Sequence, residues 1–99
     1  MLKHKHKRKQ QLWDLQMSIG CQVCGYCRCP QVLDFHHKDP SQKKYAVSQM
    51  PGRSIESIRD EICKCVVLCS NCHDETHAKL ICIDDIQTIG MSVAQKYIK

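Results

Sequence analysis

Cys21-Gln22-Val23-Cys24-Gly25 and Cys69-Ser70-Asn71-Cys72-His73 decide how this chain can fold. Each is a Cys-x-x-Cys knuckle, and a two-residue spacer lets both thiolates face one ion. Cys69 follows Cys24 by 45 residues, so an ion shared by the two knuckles joins distant segments. Zinc takes four soft ligands in a tetrahedron, and a closed set of four is a structural site. Cys21, Cys24, Cys69 and Cys72 are the preferred ligands, because Gly25 relieves a tight turn after the first knuckle and the same spacing recurs in the second. Cys27, Cys29, Cys63 and Cys65 offer other combinations; the simpler reading leaves them reduced, packed or exposed. Cys82 reads as a small buried apolar residue. A redox role for one Cys-x-x-Cys would need a βαβ context that this chain lacks.

The need for a staple follows from size. Ninety-nine residues make one small domain, and only Trp13, Tyr26, Phe35, Tyr45 and Tyr97 supply large aromatic bulk. Chains this short are usually held by disulfides or a metal. Nine cysteines is an odd count, and secreted disulfide frameworks normally use an even one. The Lys-rich start runs into Gln10, Gln11 and Asp14 rather than an apolar signal region. No segment approaches the ~20 apolar residues of a membrane span. Reduced cysteines in a cytoplasmic or nuclear, non-secreted protein are therefore expected, with no membrane partner. Size excludes a Rossmann cofactor domain or a large substrate pocket.

The net charge of +5 has an address. Lys3, Lys5, Lys7, Arg8 and Lys9 precede the first acid, and the remaining basic and acidic residues cancel. Such an arm can be a solvated tail or a contact for DNA phosphates. Five phosphate contacts would give a salt slope of about −4.5, and they would position DNA without reading its sequence. His4 and His6 belong to this arm rather than to a metal site.

Helix is expected over residues 2–18, ended by Gly20. Residues 21–30 suit tight turns. Residues 32–37 read as a strand, with Asp39-Pro40-Ser41 at its exit and a short return strand over 46–50. Ser54 is a credible N-cap for a helix carrying Ile55, Ile58 and Ile62 on one face. An apolar run, Val66-Val67-Leu68, leads to a helix from Ser70 to about Leu80. Asp84 or Asp85 can cap a last helix with Ile86, Ile89, Val93 and Tyr97 on one side. The division is residues 1–18 as basic arm and helix, 19–80 as the main domain, and 81–99 as a C-terminal helical extension, in a small α+β protein.

Four of the six histidines form two pairs, His36-His37 and His73/His77. The second pair is spaced i, i+4 and so shares a helix face. Either pair alone is weak. Together they matter because His73 directly follows the second knuckle, whose zinc would bring both pairs together and leave them free for a second, open metal site.

Taken together, Cys21-Gln-Val-Cys24-Gly, Leu33-Asp-Phe-His36-His37-Lys-Asp-Pro40, Lys64-Cys-Val-Val-Leu-Cys69-Ser-Asn-Cys72-His73 and His77 resemble an HNH endonuclease, in the zinc-stapled branch common in phages and mobile elements. The match spans about residues 19–78. The resemblance implies a ββα-metal (His-Me finger) fold with a four-cysteine zinc-knuckle staple, in a bacterial or phage-infected cytoplasm. It makes His37 the general base and His36, His73 and His77 the ligands of a catalytic divalent ion. One position departs: where the family carries its middle Asn, which orders the hairpin loop behind the base, this chain has Lys64 or Cys65.

The implied activity is metal-dependent hydrolysis of DNA phosphodiesters to a 5′-phosphate and a 3′-hydroxyl. Imidazole titrates near ~6.5, so neutral His37 can take a proton from water around neutrality. Imidazole ligands favour transition metals, so activity is expected to be highest with Mn2+ or Ni2+, with Mg2+ serving in the cell. One site cuts one strand, and cutting both needs a homodimer or sequential nicks. Phage or mobile-element machinery would be the wider partner. Two rivals are a zinc-knuckle nucleic-acid binder with weak or no catalysis, and a protein–protein adaptor using the knuckles as scaffold.

Overall fold

β-branched and apolar side chains dominate residues 65–69, and these form a strand buried along its whole length. It pairs antiparallel with Leu33–His37, in the register Leu33↔Cys69, Asp34↔Leu68, Phe35↔Val67, His36↔Val66 and His37↔Cys65. The computed structural model describes the backbone of residues 2–99 and the side chains of residues 6–99. Along the chain come α1 (Leu2–Ile19), β1 (Leu33–His37), α2 (Ile55–Ile62), β2 (Cys65–Cys69), α3 (Ser70–His77) and α4 (Met91–Tyr97). The result is a small α+β protein built on a two-stranded sheet.

α1 ends at Gly20, whose φ of +72° favours glycine. A Cβ there would also sit 3.1 Å from the Cys27 Cβ and 3.2 Å from the Tyr26 carbonyl. One side of α1 gives Leu12 and Leu15 to the core, and Gln16 donates from Nε2 to the Leu33 carbonyl at 3.0 Å, tying the helix to β1. Ser54 caps α2 by accepting from the Ser57 N–H. As the i, i+3, i+7 spacing predicts, Ile58 and Ile62 are fully buried and Ile55 packs against the core. Ile58 and Ile62 each contribute roughly 1.5–3 kcal/mol by full burial. Among the described residues no helix is long and apolar enough to cross a membrane.

Three expectations for local structure fail. Residues 46–50 are not a return strand: Val47–Gln49 is a 3-10 turn, in which Val47 and Met50, three apart, both point inward. The partner of β1 is the more strongly β-branched run 65–69, so the two strands are separated by an excursion that contains α2. The last helix begins after Gly90, not after Asp84 or Asp85. Isoleucines 81, 83, 86 and 89 are poor helix formers, and the Ile89 N–H donates to the Cys65 carbonyl at 2.9 Å, holding this stretch along the sheet. Cys82 is exposed rather than buried, because Ile83 takes the inward position beside it.

Candidate functional site

The first knuckle is built by backbone geometry. The Cys21 N–H donates to the Tyr26 carbonyl at 2.8 Å and the Gly25 N–H donates to the Cys21 carbonyl at 2.9 Å. Gly25 adopts φ +82°, as its place after the second cysteine predicts. Gln22 fixes the knuckle to β2: its N–H donates to the Val67 carbonyl at 2.9 Å, and its Oε1 accepts from the Val67 N–H at 2.7 Å. Cys69 closes β2 and stands at the N-cap of α3, and Cys72 lies in the first turn of that helix.

These placements bring the Cys21, Cys24, Cys69 and Cys72 sulfurs within 4.8 Å of one another, with three of the four residues buried and Cys24 exposed. The sulfurs of Cys24 and Cys69 lie 3.6 Å apart, far beyond a disulfide bond. A tetrahedron of ~2.3 Å zinc–sulfur bonds has edges of about 3.8 Å, so the donor set fits zinc. The thiols compete for charge. Burial alone would raise Cys21, but the N–H groups of Cys24, Cys69 and Val23 hold it down at about 6. Burial and the neighbouring Cys69, Cys21 and Cys24 thiols raise Cys72. The Tyr26 N–H favours the Cys24 thiolate, yet Cys21 and Cys69 outweigh it and raise this thiol too. A dication removes that conflict. Cys27, Cys29, Cys63, Cys65 and Cys82 stand outside the cluster; Cys65 is buried in β2 and its thiol is pushed up to about 12 by burial and by Glu61.

The histidines separate by strand alternation. His36 is directed toward α3, where His73 and His77 occupy one face, and its ring centroid is 5.0 Å from His73 and 5.1 Å from His77. His73 and His77 are 4.7 Å apart by centroid, with their Nε2 atoms at 3.0 Å. One nitrogen from each of the three rings lies within 4.8 Å of the others, a spacing that can hold a metal ion. Burial first, then the nearby His73, His77 and His37 rings and the Lys43 ammonium, push His36 down to about 4, so it is a neutral donor at pH 7. Asp34 lies 3.1 Å from the His73 Nδ1. With the carboxylate accepting the Nδ1 proton, the Nε2 lone pair of His73 is left free. A carboxylate behind a histidine in this way is a common support for a metal ligand.

His37 takes the other direction. It is 7 % exposed and its Nε2 lies 2.7 Å from the Oε2 of Glu61, itself 2 % exposed. The same oxygen accepts from the backbone N–H groups of Lys44 at 3.0 Å and Tyr45 at 3.3 Å, and Lys64 Nζ donates to Oε1 at 3.0 Å. Sequence reasoning missed Glu61 and Asp34. Glu61 left a signal as an acid on the apolar face of α2, between Ile58 and Ile62. Asp34 lies two residues before His36, on the same side of the strand.

Between α1, β1 and the loop over 43–48 lies a cleft of 520 Å3 whose lining includes both His37 and His73. The basic arm is less uniform than its composition suggests. Lys7 and Lys9 are exposed and Lys9 reaches this cleft. Arg8 is half-buried and donates to the carbonyl of Lys99 at 2.9 Å and to Gln11 at 2.6 Å, a structural duty within the fold. The side chains of Lys3 and Lys5 lie outside the described residues. Comparison with protein-family models, with curated proteins and with solved structures finds no match for this chain.

Proposed function

We propose that the chain is a metal-dependent DNA endonuclease of the HNH type, its sheet and α3 forming a ββα-metal domain stapled by zinc. The observation that carries this reading is the convergence of His36, His73 and His77 on one point, with His37 one residue along the same strand and lining the adjoining cleft. A divalent ion held by the three imidazoles would supply Lewis acidity and charge neutralisation at the phosphate.

The protein's own residues account for the proton. Glu61 is ionised and can only accept, so His37 carries its proton on Nε2 and keeps the Nδ1 lone pair. That nitrogen takes a proton from water as the water oxygen bonds to phosphorus and the bond from phosphorus to the 3′ oxygen breaks, and the departing 3′ oxygen takes its proton from solvent to become a hydroxyl. The resulting imidazolium is stabilised by the Glu61 carboxylate. Glu61 also performs the task that the family's middle Asn would have, since its bonds to Lys44 and Tyr45 order the loop behind the base. The departure at Lys64 and Cys65 therefore does not leave that loop untied.

Nicking of supercoiled plasmid in Mn2+ is the test. Nicking that stops on chelation and in His37→Ala supports the enzyme. No nicking, or equal nicking by the two proteins, overturns it. The rival reading, a nucleic-acid-binding zinc protein without catalysis, predicts retained DNA affinity with no nicking.

A further inference from the structure

Trp13 is the chain's only tryptophan, and the core does not claim it. α1 gives the core Leu12 and Leu15, while Trp13, half-buried, lines the 520 Å3 cleft with Lys9, Phe35, Lys43, His37 and His73. Lys9 Nζ stands 5.7 Å from the Trp13 ring centroid. An adjoining hollow shares Lys9 and Ser48 and adds Arg53, so a basic rim continues beyond His37 and His73. Aromatic faces beside a cationic track are the usual means of holding an unpaired nucleic-acid strand. The cleft's volume falls in the range that seats a single small ligand, about 300–1,000 Å3.

We infer that this cleft seats one unpaired base of a DNA strand against Trp13, so that single-stranded or locally unpaired DNA is the preferred substrate. His37 is almost withdrawn from solvent and borders the cleft, so a strand must enter the cleft to bring a phosphate to it. A duplex keeps its bases stacked inside a stiff cylinder and cannot place one there; a flexible strand can. The inference rests on the nuclease reading only for the position of the scissile phosphate. The base seat is a property of the cleft itself.

A lone tryptophan makes the test direct. The zinc-loaded full chain, with no other divalent ion, is titrated with a hexathymidine oligonucleotide and with a blunt duplex of about 12 base pairs, long enough to fill a single-strand site of this kind. The expected result is saturable quenching by the single strand, at concentrations at least about tenfold below those at which the duplex acts. By anisotropy of labelled hexathymidine, Trp13→Ala weakens binding about tenfold, and Trp13→Phe stays within about threefold of the parent, with zinc content unchanged in both. Equal or tighter duplex binding overturns the inference, as does a folded Trp13→Ala protein that binds like the parent. Should Trp13→Ala fail to fold, the quenching ratio of the parent protein decides alone. Mn2+-dependent nicking without Trp13 quenching overturns the base seat and leaves the nuclease intact. Selective quenching without metal-dependent cleavage supports the seat and overturns the nuclease.

Discussion

The Nε2–H of His37 donates to Oε2 of Glu61 across 2.7 Å, with both side chains withdrawn from solvent. Burial alone would raise the Glu61 carboxyl, but His37, the Lys44 N–H, Lys64 and the Tyr45 N–H together bring it down to about 2. One carboxylate thus joins the end of β1, the loop that follows it, and α2. It also fixes which imidazole nitrogen of His37 is free.

Removing that carboxylate should cost stability to a degree set by what replaces it. Glu61→Ala leaves the buried His37 and two loop N–H groups without an acceptor, and is expected to lose about 3 kcal/mol in urea unfolding. Glu61→Gln keeps an acceptor oxygen and should lose about 1 kcal/mol. If Glu61→Ala unfolds within about 0.5 kcal/mol of the parent, as an ordinary surface change would, the network does not hold the loop.

Where the fold was legible in the chain, the signal was local and strongly typed. The two knuckles, Gly20, the Ser54 cap and the Ile55/Ile58/Ile62 face each rest on one short-range rule, and each appears as read. Local reading failed where a distant partner decided. Val47 and Met50 fit a strand until residues 65–69 take the sheet position, and Ile86 and Ile89 fit a helix until the Cys65 carbonyl takes the Ile89 N–H. Arg8 looked like any basic residue of the arm, and only the tertiary fold turns it toward Lys99. Glu61 and Asp34 went unread for the same reason: a carboxylate's role depends on which histidine lies across from it, and sequence order does not say.

Acid should destabilise the protein over a defined window. A carboxyl whose pKa falls from 4.5 to about 2 on folding stabilises the folded state fully above its unfolded value. That contribution is lost as pH falls from about 4.5 toward 2, where the folded form also takes up the proton. Glu61 can account for up to about 3 kcal/mol of it. With zinc still bound, the margin by which the parent's urea midpoint exceeds that of Glu61→Gln should narrow as pH falls from about 6 through about 4.5. Parallel curves for the two proteins would assign the acid sensitivity elsewhere.

Zinc removal is expected to unfold the chain rather than loosen one end, because the four cysteines tie the segment after α1 to the junction of β2 and α3. Metal analysis should find one tightly held zinc per chain after dialysis, and Cys21, Cys24, Cys69 and Cys72 should resist a thiol reagent until a strong chelator is added, while Cys65 resists through burial alone. Cys72→Ser should lose the zinc, whereas Cys82→Ser, at an exposed position outside the cluster, should keep both zinc and stability. Ready reaction of Cys21, Cys24, Cys69 and Cys72 in the folded parent would exclude the staple.

The histidine cluster makes a separate prediction, because its supports are more exposed than those of the zinc site. Asp34 is 41 % exposed by side chain, so Asp34→Asn should change stability by less than about 0.5 kcal/mol. Its effect should instead be on the second metal. A neutral amide holds the His73 Nδ1 proton less firmly and contributes less to the basicity of Nε2, so Mn2+ or Ni2+ affinity should fall about tenfold or more. His77→Ala should lower it further by removing a donor, again without unfolding the chain, since His77 is exposed at the end of α3. Titration calorimetry on zinc-loaded protein distinguishes the two sites: the knuckle zinc stays, and only the second binding event weakens. Unchanged Mn2+ and Ni2+ affinity in both variants would mean that the three imidazoles converge without holding a metal, and the proposed catalytic centre would lose its basis.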